Sequence, residues 1–425
     1  MTDVEKIIKL IKSLLIGLSL NVFVDYKNQT VLYKIYRLLS FVIVILLYVV
    51  GFYNDFISSL LNRETKGIIP SFFTGNNVIA VTTLVSRAIL LMIKRRQFLK
   101  LMNWLKDTYE PESNEWERKY KKDYMEQVGI NNLKEWKYML FFILSMITFT
   151  PTAEIILHAI NPSFEFLLSS QIVGITKDSK YYFILNITSH AFGFAMIYSY
   201  IFIDFMMFVT ISRHILAQLK IINDMCKDIG KYEKNLVEQY FGRHYHNTTE
   251  LKLMGLNKDI LVSKHQQYPK SMVLLKLILE RHKKLLSIIK IASDFYFLSI
   301  LLYEALTFVC NGFVYCTLTI LNGSWFLALT STFVLPQYYV ISSIGTEILE
   351  SGNEMSTNLY NSDWLYLSPK ERKMMQICMV LSQKPHTLTA GGFQDVSLQR
   401  FTYVMSFSYR CCLLISFLDK KGQSG

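Results

Sequence analysis

The chain has 425 residues and a formal net charge of +12, with 51% hydrophobic and only 18% charged residues. A soluble chain of this length would form two or three domains. Here the apolar residues gather into runs that approach the ~20 residues needed to cross a bilayer, so the composition excludes an ordinary soluble protein and predicts an all-α membrane protein.

The first predicted element is an amphipathic helix at the N-terminus. In the sequence VEKIIKLIKSLLIGLSL, the apolar residues from Val4 to Leu18 share one arc of a helix, and Lys6, Lys9 and Lys12 lie on the other side. This pattern is typical of a helix that lies along the membrane interface. A short helix packed on the protein core is the alternative.

Seven membrane crossings are predicted after this helix. The uncharged stretch Ala305–Thr346 is too long for one helix across about 30 Å of lipid, and the turn residues Asn322, Gly323 and Ser324 divide it into two crossings. The predicted spans lie near residues 35–55, 71–93, 138–160, 182–211, 285–320, 325–349 and 397–418.

The basic residues predict the orientation of the chain in the membrane. The loops on the side of the N-terminus hold 35 Lys and Arg residues, and those on the other side hold six. By the positive-inside rule the N-terminus is cytoplasmic, and with seven spans the C-terminus is extracellular. The basic side is predicted to face solvent and anionic lipid, with no nucleic-acid site.

Other classes of protein share parts of this layout. A G-protein-coupled chemoreceptor has seven helices, but its N-terminus is outside and its outer loops are usually tied by a disulfide, whereas neither longer outer loop here contains a cysteine. An ion-coupled transporter could use acids within or beside the spans, but the chain has no internal repeat. Those acids, which we interpret as interhelical hydrogen bonders or residues near water, are Glu154, Asp204, Asp294 and Glu304. There is no nucleotide loop, metal-ligand cluster or nucleophile–base spacing, so we predict no enzyme, cofactor or metal site.

An ordered string of motifs lies near the C-terminus, from Leu359 onwards. It resembles the C-terminal signature of insect odorant receptors, in which Tyr-Asn-x-x-Trp, Pro-x-x-x-Arg-Lys, Ser-Gln-Lys-Pro, Leu-Thr-Ala-Gly-Gly-Phe and a Ser-led helix follow one another. Pro369 stands one place later than in many relatives. The matching residues are Tyr360, Asn361, Trp364, Arg372, Lys373, Ser382, Gln383, Lys384, Pro385, Leu388, Thr389, Ala390, Gly391, Gly392, Phe393, Ser397, Ser408 and Tyr409.

The resemblance implies a role in olfaction and sensory transduction. It implies a multi-pass subunit of a heterotetrameric, ligand-gated, non-selective cation channel in the plasma membrane of an olfactory sensory neuron. In this family a tuning subunit binds a small volatile ligand and a shared co-receptor completes the pore. The co-receptor and the related gustatory receptors carry Gln at the position of Ile415. The resemblance therefore favours an odorant-specific tuning subunit, with a gustatory-type receptor channel as an alternative.

Local chemistry predicts a helix, a turn and a new helix within the signature. Glu371–Ser382 is too short and polar to cross lipid, Pro385 ends it, Gly391 and Gly392 allow the backbone to reverse, and Ser397 caps the next helix. The expected regions are a cytoplasmic amphipathic helix (1–34), a six-helix ligand-binding bundle (35–349) with cytoplasmic extensions (94–137 and 212–284), a cytoplasmic anchor helix and turn (350–396), and a pore-lining helix with a short extracellular tail (397–425).

The predicted site residues fall into two groups. The final helix is rich in polar residues, which in hydrocarbon need protein or water around them. The resemblance sets Cys412 and Ser416 where the co-receptor carries its hydrophobic gate, so this chain departs from the co-receptor by having small polar groups there. The predicted pore-lining residues are Met405, Ser408, Cys412 and Ser416, with simple packing as the alternative. The resemblance also implies an apolar odorant pocket in the outer half of the bundle. Depth along the spans gives its candidates, for which core packing is equally compatible: Phe72, Phe73, Phe149, Thr152, His190, Phe192, Met196, Phe308, Phe333 and Tyr338.

Overall fold

The computed structural model describes residues 3–17, 86, 89–91, 93–110, 115–160, 182–237, 270–320, 334–384, 387–390, 392 and 394–423. The first predicted span and most of the second lie outside the described residues. The described helices are α1 (Asp3–Gly17), α2 (Arg95–Asp107), α3 (Glu115–Ile160), α4 (Tyr182–Lys227), α5 (Ser271–Ile320), α6 (Val334–Tyr360), α7 (Pro369–Ser382) and α8 (Leu398–Gln423). Between α7 and α8, the two-residue strands β1 (Thr389–Ala390) and β2 (Gln394–Asp395) pair antiparallel.

Three of these helices are much longer than a bilayer is thick. Helices α3 and α4 have 46 residues each and α5 has 50, which corresponds to roughly 70–75 Å at 1.5 Å per residue. Each therefore continues from a predicted span into a neighbouring predicted extension without interruption. Among the described residues, the segments Ile201–Val237 and Ser271–Val309 are long and apolar enough to cross a membrane by length and composition.

Helix α1 packs on the protein. Ile7, Ile11 and Leu15, which form the apolar stripe seen in the sequence, are at most 1% exposed and belong to the central hydrophobic core. The helix contacts α2, α3 and α4. The apolar stripe is thus covered by protein, as the packed alternative expects.

Helix α4 forms the centre of the bundle, and a buried polar network ties it to its neighbours. His214 is fully buried; its Nδ1 donates to the Thr210 carbonyl at 2.6 Å, and the Tyr109 hydroxyl after α2 lies 2.8 Å from its Nε2. Trp136 Nε1 of α3 donates to Thr210 Oγ1 at 3.0 Å. Because buried polar groups are stable only when they are paired, these bonds fix how α2 and α3 pack against α4.

The segment between α6 and α8 confirms most of the local predictions. Helix α7 begins at Pro369, two residues earlier than expected, because Ser368 and Glu371 form a capping box. The helix ends at Ser382, and Pro385 itself lies outside the described residues. The turn between β1 and β2 uses Gly392 with φ 76°, a left-handed conformation that favours glycine. Ser397 Oγ accepts from the Arg400 amide at 3.3 Å and so caps α8.

Candidate functional site

The base of α8 is held by an ion pair buried against α5. The Arg400 guanidinium donates through Nε to Glu304 Oε1 at 2.9 Å and through Nη2 to the same oxygen at 2.5 Å. The side-chain amide of Gln394 in β2 donates through Nε2 to the other carboxylate oxygen, Glu304 Oε2. The Glu304 side chain is 12% exposed and that of Arg400 is 36% exposed. The carboxylate of a predicted span is therefore an interhelical hydrogen bonder, as we interpreted it from the sequence.

Three further hydrogen bonds attach the hairpin and α8 to the bundle. The Thr389 amide of β1 donates to Ser293 Oγ of α5 at 3.1 Å. The Leu398 amide at the start of α8 donates to Thr346 Oγ1 of α6 at 2.9 Å. Together with the Glu304 ion pair, these contacts define what we call the α8 junction, through which α8 is tied to α5 and α6.

The close approach of α6 to the hairpin depends on a glycine. A Cβ at Gly345 would lie 2.2 Å from the Val396 carbonyl oxygen, a distance that no side chain could tolerate. The absence of a side chain at this position therefore lets the backbone that leads into α8 lie directly on α6.

Aromatic rings fill the contact above the junction. The ring centroid of Phe401 lies 5.6 Å from the ring centroids of both Tyr338 and Tyr339 of α6. Phe407 stacks on Phe308 of α5 at 5.4 Å. Tyr338 and Phe308, two of the predicted odorant contacts, thus contact α8. Tyr338 is 2% exposed, and its partner Phe401 lies three residues after the first residue of α8.

Two residues of the predicted pore stripe of α8 face the interior of their own chain. Ser408 is fully buried and donates to the Phe308 carbonyl of α5 at 3.0 Å, and Cys412 is 3% exposed. Both side chains are thus covered by their own chain in this structure. The α5 carbonyl satisfies the serine hydroxyl without water. Met405 is half-buried, and the side chain of Ser416 lies outside the described residues.

The opposite face of α8 is exposed. It includes polar and apolar side chains that recur at helical spacing, and we call it the outer α8 face: Thr402, Ser406, Arg410, Leu413 and Phe417. Since none of these side chains is covered by the chain itself, this face is available to a membrane, a neighbouring subunit or an aqueous pore.

The other predicted odorant contacts are only partly described. Thr152 is exposed, and its hydroxyl donates to the Thr148 carbonyl at 2.6 Å. Four candidates lie on described helices, but their side chains are outside the description: Phe149, His190, Phe192 and Met196. Three lie outside the described residues altogether: Phe72, Phe73 and Phe333.

Two polar residues of α5 were missed by the sequence analysis. Thr307 is fully buried and Asn311 is 3% exposed, and neither Thr307 Oγ1 nor Asn311 Nδ2 has a hydrogen-bond partner in the described structure. They lie one turn apart on the same face of the helix. The sequence signal that could have identified them is the presence of two polar residues four positions apart within an uncharged span. An unpaired buried donor is costly, so this pair is a candidate contact for a ligand.

Comparison with solved structures supports the fold of the whole chain. The structure of the insect olfactory receptor OR5 from Machilis hrabei in complex with eugenol superposes with a TM-score of 0.69 at 15% identity, covering 97% of this chain and 100% of that one. A second structure of the same receptor gives a TM-score of 0.71 at 14% identity. At this identity the likeness shows the fold, which is all-helical with seven membrane spans.

Sequence comparison identifies the family. Putative odorant receptor 92a of Drosophila melanogaster is 30% identical over 81 residues, which are 19% of this chain and 20% of that protein. Odorant receptor 85f of the same species is 26% identical over 118 residues, or 26% of this chain and 30% of that protein. The chain thus matches less than a third of the length of these relatives. A family model described as 7tm Odorant receptor matches residues 70–409, well beyond the C-terminal signature, and the chain therefore belongs to the insect odorant receptor family.

Proposed function

We propose that this chain is an odorant-binding tuning subunit of a heterotetrameric, ligand-gated, non-selective cation channel that it forms with a shared co-receptor. Its expected location is the plasma membrane of an olfactory sensory neuron. The observation that carries this proposal is the two-sided character of α8. One face is tied to α5 and α6 through the α8 junction, and the outer α8 face is left uncovered.

The ligand in this proposal is a small, largely apolar volatile molecule with a hydrogen-bond acceptor. Odorant receptor pockets of this kind need few polar groups to orient the ligand. Asn311 Nδ2 can only donate, so a carbonyl, ester or ether oxygen would complement it. The eugenol complex of the Machilis hrabei receptor supports a small-molecule ligand for this chain.

Helix α5 connects the proposed ligand contact to the proposed pore helix. Asn311 lies seven residues beyond Glu304 on α5, about 10 Å along the helix axis. Between them, the Phe308 carbonyl accepts the hydrogen bond of Ser408. A ligand that changes the tilt or rotation of α5 would therefore move α8 through two polar contacts and the Phe308–Phe407 stack.

The outer α8 face is a second candidate for the pore surface, beside the stripe of Met405, Ser408, Cys412 and Ser416 predicted from the sequence. Ser406 and Arg410 supply polar groups there, and Leu413 and Phe417 continue the same face toward the end of the helix. Polar groups in a membrane protein are stable where they contact protein or water. Cysteine substitution of Ser406 should therefore give a site that a charged thiol reagent modifies faster in the presence of odorant than without it.

The test of the proposal is odorant-evoked current in cells that express the chain with and without a co-receptor. We expect cation current only with both subunits, and the current should persist in excised patches that lack GTP. A response that requires GTP would identify a G-protein-coupled receptor and overturn the channel proposal. An impermeant label should also reach a tag at Gly425, but not one at Met1, in intact cells.

A further inference from the structure

A groove on the outside of α4 has the features of a phospholipid site. It has a volume of about 420 Å³, with α4 as its floor and with α3 and α6 as its two walls. This size lies within the ~300–1,000 Å³ range of ligand sites. The floor is apolar and includes the buried residues Leu216 and Ala217.

The groove lies at the level where three spans leave the membrane. Glu135 on α3 stands just before the third predicted span, and Arg213 on α4 stands just after the fourth. Glu347 on α6 lies near the end of the sixth. All three positions are at the predicted cytoplasmic ends of their spans, which is the depth of the headgroups of the inner leaflet.

The two ends of the groove differ in whether their charged side chains are paired. At its membrane end, the Arg213 guanidinium forms an ion pair with Glu135. At its cytoplasmic end, Lys220 and Glu347 line the same groove, and neither has a hydrogen-bond or ion-pair partner in the described structure. The groove thus offers one unpaired cation and one unpaired anion, with no excess of either sign.

We propose that this groove binds a phosphatidylethanolamine molecule of the inner leaflet. Its phosphate lies between Lys220 and Arg213, which are seven residues or about 10 Å apart along α4. Its ammonium group donates to the Glu347 carboxylate. Tyr339, which is 50% exposed at the membrane end of the groove, packs on the first carbons of the acyl chains.

Charge complementarity selects this headgroup over its common alternatives. A choline headgroup has no N–H to donate to Glu347, so it forms fewer charge-assisted hydrogen bonds. An anionic headgroup such as phosphatidylglycerol supplies no cation and leaves Glu347 beside added negative charge. The proposal is independent of the channel function, because it concerns only the walls of this groove.

Native mass spectrometry of the full chain in mild detergent tests the proposal with three added lipids: phosphatidylethanolamine, phosphatidylcholine and phosphatidylglycerol. We expect preferential retention of the first. Lys220→Gln should lower that retention about tenfold, the size of one charge-assisted hydrogen bond. Glu347→Gln should abolish the preference for ethanolamine over choline. Lys227→Gln is the matched control, because Lys227 lies two turns further on α4 and pairs with Asp224 outside the groove.

Three results would overturn the proposal. Unchanged ethanolamine-lipid retention in Lys220→Gln would show that the groove is not the site. A preference for phosphatidylglycerol would show that Glu347 does not select the headgroup. Equal binding of soluble glycerophosphoethanolamine would identify a soluble phosphodiester as the ligand in place of a lipid. Since both substituted side chains are exposed, an unchanged thermal unfolding midpoint is expected and confirms that each variant is folded.

Discussion

The ion pair between Glu304 and Arg400 gives the sharpest test of how α8 is held. Two hydrogen bonds from the guanidinium reach one carboxylate oxygen, and the Gln394 amide reaches the other. Hydrogen bonds to charged groups contribute about 1.5–3 kcal/mol. Because the Arg400 side chain is 36% exposed and partly solvated, we expect Glu304→Gln to cost about 1.5–2 kcal/mol, at the lower end of that range.

This free energy has a measurable counterpart in gating. If the ion pair forms in only one of the closed and open states, its loss shifts their equilibrium by about 10–30-fold. The assay is the odorant dose–response curve of the full channel complex, together with the thermal unfolding of the purified chain. Lys234→Gln is the control: Lys234 pairs with Asp363 at 3.1 Å, with side chains 37% and 28% exposed, and such a pair contributes about 0–1 kcal/mol.

A double-mutant cycle separates the ion pair from the effects of each single change. Glu304→Gln and Arg400→Gln combined should cost clearly less than the sum of the two single variants, because each single change leaves the remaining partner without its counter-ion. Additive costs would refute the argument. So would a shift in dose–response no larger than that of Lys234→Gln.

Three further predictions follow from single positions. Gly345→Ala should destabilise the chain by about 1–3 kcal/mol in a thermal unfolding assay, because the added Cβ would lie 2.2 Å from the Val396 carbonyl oxygen. An unchanged unfolding midpoint would show that α6 and the hairpin separate easily. Burial raises the pKa of the Cys378 thiol to about 11, so in the folded state the thiolate forms only as the pH approaches 11. Labelling of Cys378 by a thiol reagent at pH 8 should therefore be slow until denaturant is added. Fast labelling of the folded chain would contradict this packing. Asn311→Leu should lower the potency of acceptor-bearing odorants about tenfold while changing that of pure hydrocarbons little, and an equal change for both would exclude a hydrogen bond to the ligand.

Features set by neighbouring residues could be predicted from the sequence. The end of α7 at Ser382, the reversal at Gly392 and the cap at Ser397 each depend on residues within about four positions. Helix capping and turn formation over so few residues follow from the residue types themselves, so they can be inferred from the sequence. The same applies to the α-helical class, since span length follows from runs of apolar residues.

Features set by distant partners could not be predicted. The rotation of α8 about its axis depends on Phe308, a residue 100 positions away that accepts the hydrogen bond of Ser408. The position of Tyr338 depends in the same way on its contact with Phe401. A polar stripe on a helix is compatible with a pore or with a buried carbonyl, and the sequence pattern is the same in both cases. The burial of the apolar stripe of α1 depends on such contacts as well.

The unbroken length of α5 has a mechanical consequence. Its 50 residues form a rod of about 75 Å, which carries Asn311 toward one end. At the other end, Ser271 Oγ accepts from the Gly230 amide at 2.9 Å. A rigid rod works as a lever: a tilt of about 5° around its midpoint moves each end by roughly 3 Å, comparable to a hydrogen-bond length. A ligand that tilts the outer end by this amount can therefore break contacts at the cytoplasmic end, with no hinge between them.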